Sequence, residues 1–82
     1  MNSETREKIL DLISNIRISG LSYASILTNY LYGLFDGYDY SHKDNFKDIM
    51  RNLQVDDINV YNEVKAIYEV IDTYDFSGVT EI

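Results

Sequence analysis

The side chains of this chain that could do chemistry are carboxylates and tyrosine hydroxyls, and they run together in two places. The segment Asp36-Gly37-Tyr38-Asp39-Tyr40 alternates acids with tyrosines, and from Tyr61 onward Tyr61, Tyr68 and Tyr74 are interleaved with Glu63, Glu69, Asp72 and Asp75. Carboxylates paired in a cleft can run acid-base chemistry or hold a metal, whereas carboxylates facing solvent beside tyrosine suit charge-assisted hydrogen bonds to Lys and Arg of another macromolecule.

The first kind of chemistry is poorly supported by the spacing. His42 is the only histidine and cysteine is absent, so a metal site would have to gather carboxylates around His42, and nothing shows that pattern. Counted as a calcium loop from Asp36, the fifth position is Tyr40 and the twelfth Lys47, which removes the alternating oxygen ligands and the closing bidentate glutamate. Ser25 with His42 and an aspartate would need a strained G-x-S-x-G elbow to act as a nucleophile, and the chain has none. No catalytic residue, cofactor site or metal site is expected, and the chain reads as a non-enzyme.

The second kind fits the charge distribution. The net charge is −7, and residues 56 to 82 hold seven carboxylates against the single Lys65. Asp56 and Asp57 are adequately explained as helix-start residues favoured by the macrodipole and are discounted as binding acids. With each helical residue advancing about 100°, Tyr61, Tyr68, Asp72 and Asp75 fall within about 60° of one another and form one acidic aromatic edge, with Glu69 beside it. A plainer reading lays both tyrosines over the rim of the core with their hydroxyls in water, and folds Tyr38 or Tyr40 back over the end of helix two. The candidate partner-binding residues are Asp36, Tyr38, Asp39, Tyr40, Tyr61, Tyr68, Glu69, Asp72 and Asp75. Lys43, Lys47 and Arg51 recur on one helix face, but Asp44 and Asp48 lie at i, i+3 to Lys47 and Arg51, so a self-paired solvated face is expected there rather than a phosphate track. The negative total likewise argues against direct nucleic-acid binding. The terminal Thr80-Glu81-Ile82 has the form that PDZ-type grooves bind, a match short tails make often by chance, and it reads as a frayed or lightly docked tail.

These residues must be positioned by helices. A chain of 82 residues suits one domain, here a single acidic helical domain spanning residues 1–82. Ile9, Leu12, Ile13 and Ile16 mark a first helix at about 4–18, with Leu10 widening its stripe and Ser19-Gly20 ending it. Ser22 is placed to cap a second at about 22–35, whose face is Tyr23, Ile26, Leu27, Tyr30, Leu31 and Leu34. Ser41-His42-Lys43-Asp44 resembles a capping box for a third at about 42–53, with Phe46, Ile49, Met50 and Leu53 facing inward. Asp56 or Asp57 caps a fourth at about 57–75, with Val60, Val64, Ile67, Ile71 and Tyr74 as its stripe and Ser77-Gly78 as its stop. The fold class is all-α, a small compact four-helix domain, in which the short second and third helices can give an irregular rather than an up-and-down bundle.

Eighteen consecutive uncharged residues separate Arg17 from Asp36, a length that could span a membrane. Ser19, Gly20, Ser22, Ser25, Thr28, Asn29 and Gly33 interrupt that run, so a buried helix is favoured. With no basic n-region leading into an apolar stretch, the cytosol is the default location.

The leading functional expectation is a non-enzymatic acidic binding or inhibitor protein that occupies a basic, nucleic-acid-binding surface of a partner protein. Small acidic helical inhibitors of this type include phage anti-defence proteins such as anti-CRISPRs, and DNA mimics generally, a parallel of charge and size. The alternatives are a bacteriocin immunity protein or antitoxin, and a homo-oligomeric regulatory helper whose exposed tyrosines form a self-interface.

Overall fold

Residues 3–38, 40 and 43–70 are described by the structure, a computed structural model. Among them lie four α-helices and no strand: α1 (Ser3–Ile18), α2 (Ala24–Gly33), α3 (Asp44–Asp56) and α4 (Ile58–Val70), with a 3-10 turn over Leu34–Asp36 continuing α2. The expected all-α, four-helix architecture is therefore present. The chain divides into two compact units, Met1–Asp39 and Tyr40–Ile82. Within the first α1 packs on α2, and within the second α3 packs on α4.

In the first unit, Ile9, Leu12, Ile13 and Ile16 are each no more than 2 % exposed, as their i, i+3, i+4, i+7 spacing requires. Leu10 is instead 41 % exposed, so the buried stripe of α1 is narrower than expected. The helix stops where Gly20 takes a left-handed φ of 78°. Ser19 secures that end. Its N–H and its hydroxyl both donate to the Ile16 carbonyl, and its Oγ accepts the Leu21 N–H at 3.3 Å.

Helix α2 corrects the expected start. It begins at Ala24 rather than Ser22, its N-cap is Tyr23, and no side chain caps it. The reason lies in the backbone. Ala24 N–H donates to the Leu21 carbonyl at 3.1 Å, so a turn satisfies the amide that a capping serine would otherwise have taken. Leu27, Tyr30, Leu31 and Leu34 are buried together with Thr28, while Ile26 is exposed and falls outside the expected apolar face. Thr28 Oγ1 donates to the Ser25 carbonyl at 2.9 Å, which allows a hydroxyl to be buried here. Among the described residues no helix is long and apolar enough to cross a membrane.

In the second unit, α3 starts at Asp44 after an extended Lys43 that makes no side-chain cap bond. Ser41 and His42, the residues of the expected capping box, lie outside the described residues. The helix runs to Asp56, beyond the expected end at residue 53, because the backbone first leaves helical geometry at Asp57, with φ −153° and ψ 89°. Asp57 N–H closes α3 on the Leu53 carbonyl at 2.8 Å, and its Oδ1 accepts the Val60 N–H at 3.2 Å to open α4. A single residue thus ends one helix and caps the next, where a longer connection was expected. Phe46, Ile49, Met50 and Leu53 of α3 are buried, as are Val60, Tyr61, Val64, Ile67 and Tyr68 of α4. The rings of Phe46 and Tyr68 meet at 5.0 Å, centroid to centroid, tilted by 49°. Burial of side chains of this size contributes about 1.5–3 kcal/mol each. The ion pairs Glu4–Lys8 at 3.5 Å, Asp48–Arg51 at 3.6 Å and Lys65–Glu69 at 3.9 Å are largely solvated and add only tenths. Asp48–Arg51 is the pairing expected on α3, whereas Asp44 and Lys47 form no ion pair with each other or with any other of the described residues.

Candidate functional site

The arrangement that best suits recognition is the turn that closes α2. Gly37 adopts φ 82° and ψ 11°, the left-handed conformation that only glycine takes without strain. Two bonds then close the end: Gly37 N–H donates to the Leu34 carbonyl at 3.2 Å, and Tyr38 N–H to the Gly33 carbonyl at 3.0 Å. This pair of bonds is the Schellman pattern, which satisfies carbonyls left over at a helix end. It also fixes the chain direction just where the expected loop residues begin. Tyr38 emerges 60 % exposed, and Asp36, the last residue of the 3-10 turn, is exposed as well. A carboxylate at the C-terminal end of a helix adds to the partial negative charge of the dipole, so the turn concentrates negative potential around a tyrosine.

The remaining residues of this stretch are placed differently. Asp39 lies outside the described residues, and Tyr40 is half-buried with Lys43 Nζ 5.6 Å from its ring centroid. The turn therefore brings together Asp36 and Tyr38 of the four expected loop residues.

On α4 the expectation of an acidic aromatic edge is corrected for its tyrosines. Tyr61 is 3 % exposed and Tyr68 fully buried, so neither offers its ring to a partner. Together with Val60, Val64 and Ile67 they fill a buried arc about 120° wide, whose flank is the position that spacing alone assigns to the edge. The Tyr61 hydroxyl has no hydrogen-bond partner among the described residues. Burial pushes its ionisation above the usual tyrosine range, and the charge of Glu69 raises it further. Glu69 itself is exposed and pairs with Lys65. Asp72 and Asp75 lie outside the described residues, as do Tyr74 and the Thr80-Glu81-Ile82 tail.

One cluster escapes a reading by single helices. The Arg6 guanidinium carbon lies 4.9 Å from the Phe35 ring centroid, and that of Arg17 lies 5.7 Å from the Tyr32 centroid. Arg17 Nη2 also donates to the Tyr32 hydroxyl at 3.2 Å. The signal available in the sequence is the eleven-residue interval between the arginines, which returns to nearly the same helix face after about three turns. Its meaning depends on the second helix.

Among the described residues no group of three or more His, Asp or Glu side chains is placed to hold a metal ion. The chain matches no known protein family, no curated protein and no solved structure.

Proposed function

We propose that this chain is a non-enzymatic binding protein that docks an acidic surface onto a basic, nucleic-acid-binding surface of a partner protein, acting as phage anti-defence inhibitors and DNA mimics do. The observation that carries the reading is the capped turn at the end of α2, where Tyr38 stands 60 % exposed beside Asp36 in a chain of net charge −7. Asp36 accepts hydrogen bonds from Lys or Arg of the target, in place of a phosphate oxygen. Tyr38 supplies apolar contact area from a backbone already closed, so little further ordering is needed on binding. The overall field steers encounter and makes the complex sensitive to salt.

The experiment is capture with the intact chain as bait, followed by competition with duplex DNA for the captured partner. Mutual exclusion of DNA and the chain, lost in the Asp36→Lys and Tyr38→Ala variants, is the expected outcome. A partner that binds DNA and the chain together would overturn the mimicry. Capture of a toxin would place the chain among immunity proteins or antitoxins instead.

A further inference from the structure

Arg6, Leu10 and Arg17 share one side of α1. At about 100° per residue, Leu10 lies about 40° and Arg17 about 20° around the axis from Arg6, while Glu4, Glu7 and Asp11 are turned away by about 100° to 160°. Neither arginine has an ion-pair partner among the described residues, whereas Lys8 on the far side pairs with Glu4. Both guanidiniums instead rest on an aromatic pair of α2 and the 3-10 turn that continues it, Arg6 on Phe35 and Arg17 on Tyr32. Those two rings meet edge to face at 6.2 Å. A guanidinium held against a ring is oriented through its face and keeps N–H donors along its edge, and among the described residues only one contact, from Arg17 to the Tyr32 hydroxyl, draws on them. Leu10, between the two arginines along α1, is 41 % exposed, and Tyr32, against which Arg17 rests, is 37 % exposed. The result is a strip with cationic ends and an apolar middle on a chain that is acidic overall.

We propose that this strip is a docking surface for an acidic amphipathic segment of a partner protein, with an apolar side chain seated on Leu10 and Tyr32 and carboxylates received by Arg6 and Arg17. Charge complementarity selects the occupant. Oriented guanidiniums match carboxylates in two-point geometry, and Arg and Tyr are the residues that most often anchor protein interfaces. A nucleic acid fits less well, because tracking a phosphate backbone takes a longer row of cations than two and works against the net charge of −7. The strip is opposite in sign to the Asp36–Tyr38 turn, so the inference stands apart from the proposed function and fails separately from it.

The test uses the full chain and a labelled, alanine-based helical peptide carrying two glutamates about eleven positions apart with a leucine midway, a spacing that matches Arg6 and Arg17. Fluorescence anisotropy gives affinity, and the arginine Nε–H resonances report which side chains are engaged. Saturable binding is expected, with both arginine resonances shifted. It should weaken by about tenfold or more in Arg6→Gln/Arg17→Gln and with glutamine in place of the peptide glutamates, and persist in Lys8→Gln and Tyr38→Ala. Should the double variant not fold, each single Gln variant is expected to show a partial loss. Equal affinity for wild type and any folded arginine-to-glutamine variant, or for the glutamine peptide, overturns the proposal and leaves the arginines as braces of the hairpin. Stronger binding of a single-stranded oligonucleotide of equal charge overturns it in favour of phosphate recognition.

Discussion

The Tyr38 amide donates to the Gly33 carbonyl at 3.0 Å, and this bond ties an exposed tyrosine to the last turn of α2. It forms because Gly37 between them is left-handed, so one glycine controls both the end of a helix and the placement of the aromatic side chain beyond it.

Replacing Gly37 with alanine should therefore act through the backbone alone. Nothing lies within 4 Å of an added Cβ, so no clash contributes, and the strain of the left-handed conformation costs about 1 kcal/mol. A lower urea midpoint and weaker partner binding are expected together. An unchanged midpoint would show that the turn relaxes without penalty.

Tyr61→Phe should stabilise the protein. The hydroxyl is buried and has no hydrogen-bond partner among the described residues, so its removal relieves a desolvation penalty of about 1 kcal/mol. The check is an increase in urea midpoint at constant slope. A decrease would mean that the hydroxyl is satisfied in solution.

The same residue sets an alkaline limit on stability. The folded-state ionisation of Tyr61 lies above its ordinary value of 10.0, so the folded chain holds this proton where the unfolded chain releases it. Stability from this group is fully present below the unfolded value and falls as pH rises through that value toward the folded one. Thermal melts from about pH 9 to about pH 11 should show a steeper loss for wild type than for Tyr61→Phe. Parallel curves would contradict the raised ionisation.

Asp57→Ala should lower stability by about 1 kcal/mol through loss of the cap on α4, with Asp57→Ser retaining most of it. Its Oδ1 holds the Val60 N–H at 3.2 Å, at the one residue between two helices. Equal urea midpoints for wild type and Asp57→Ala would indicate that the turn is held by its backbone bonds alone.

The helices themselves are legible because apolar spacing and glycine position act locally. Ile9 to Ile16, Phe46 to Leu53 and Gly20 all behave as their pattern requires. Periodicity gives which residues share a face but not how wide the buried arc becomes, since the packing helix decides that. Tyr68 is buried by contact with Phe46, and Leu10 and Ile26 are left out in water, for this reason. Caps are ambiguous on similar grounds. Ser22 has the right side chain, but the turn from Leu21 to Ala24 satisfies the backbone without it. The Arg6 and Arg17 contacts emerge only once two helices lie side by side, because each arginine alone resembles an ordinary solvated charge.

The central claim is tested most directly by affinity capture from a cell lysate with three baits: wild type, Asp36→Lys and Tyr38→Ala, each eluted by a salt gradient. The expected result is a partner with a basic surface that is retained by wild type at low salt, released as screening rises, and lost or much weakened on both variants. The same partners held equally by all three baits, with elution indifferent to salt, would contradict recognition through the acidic turn.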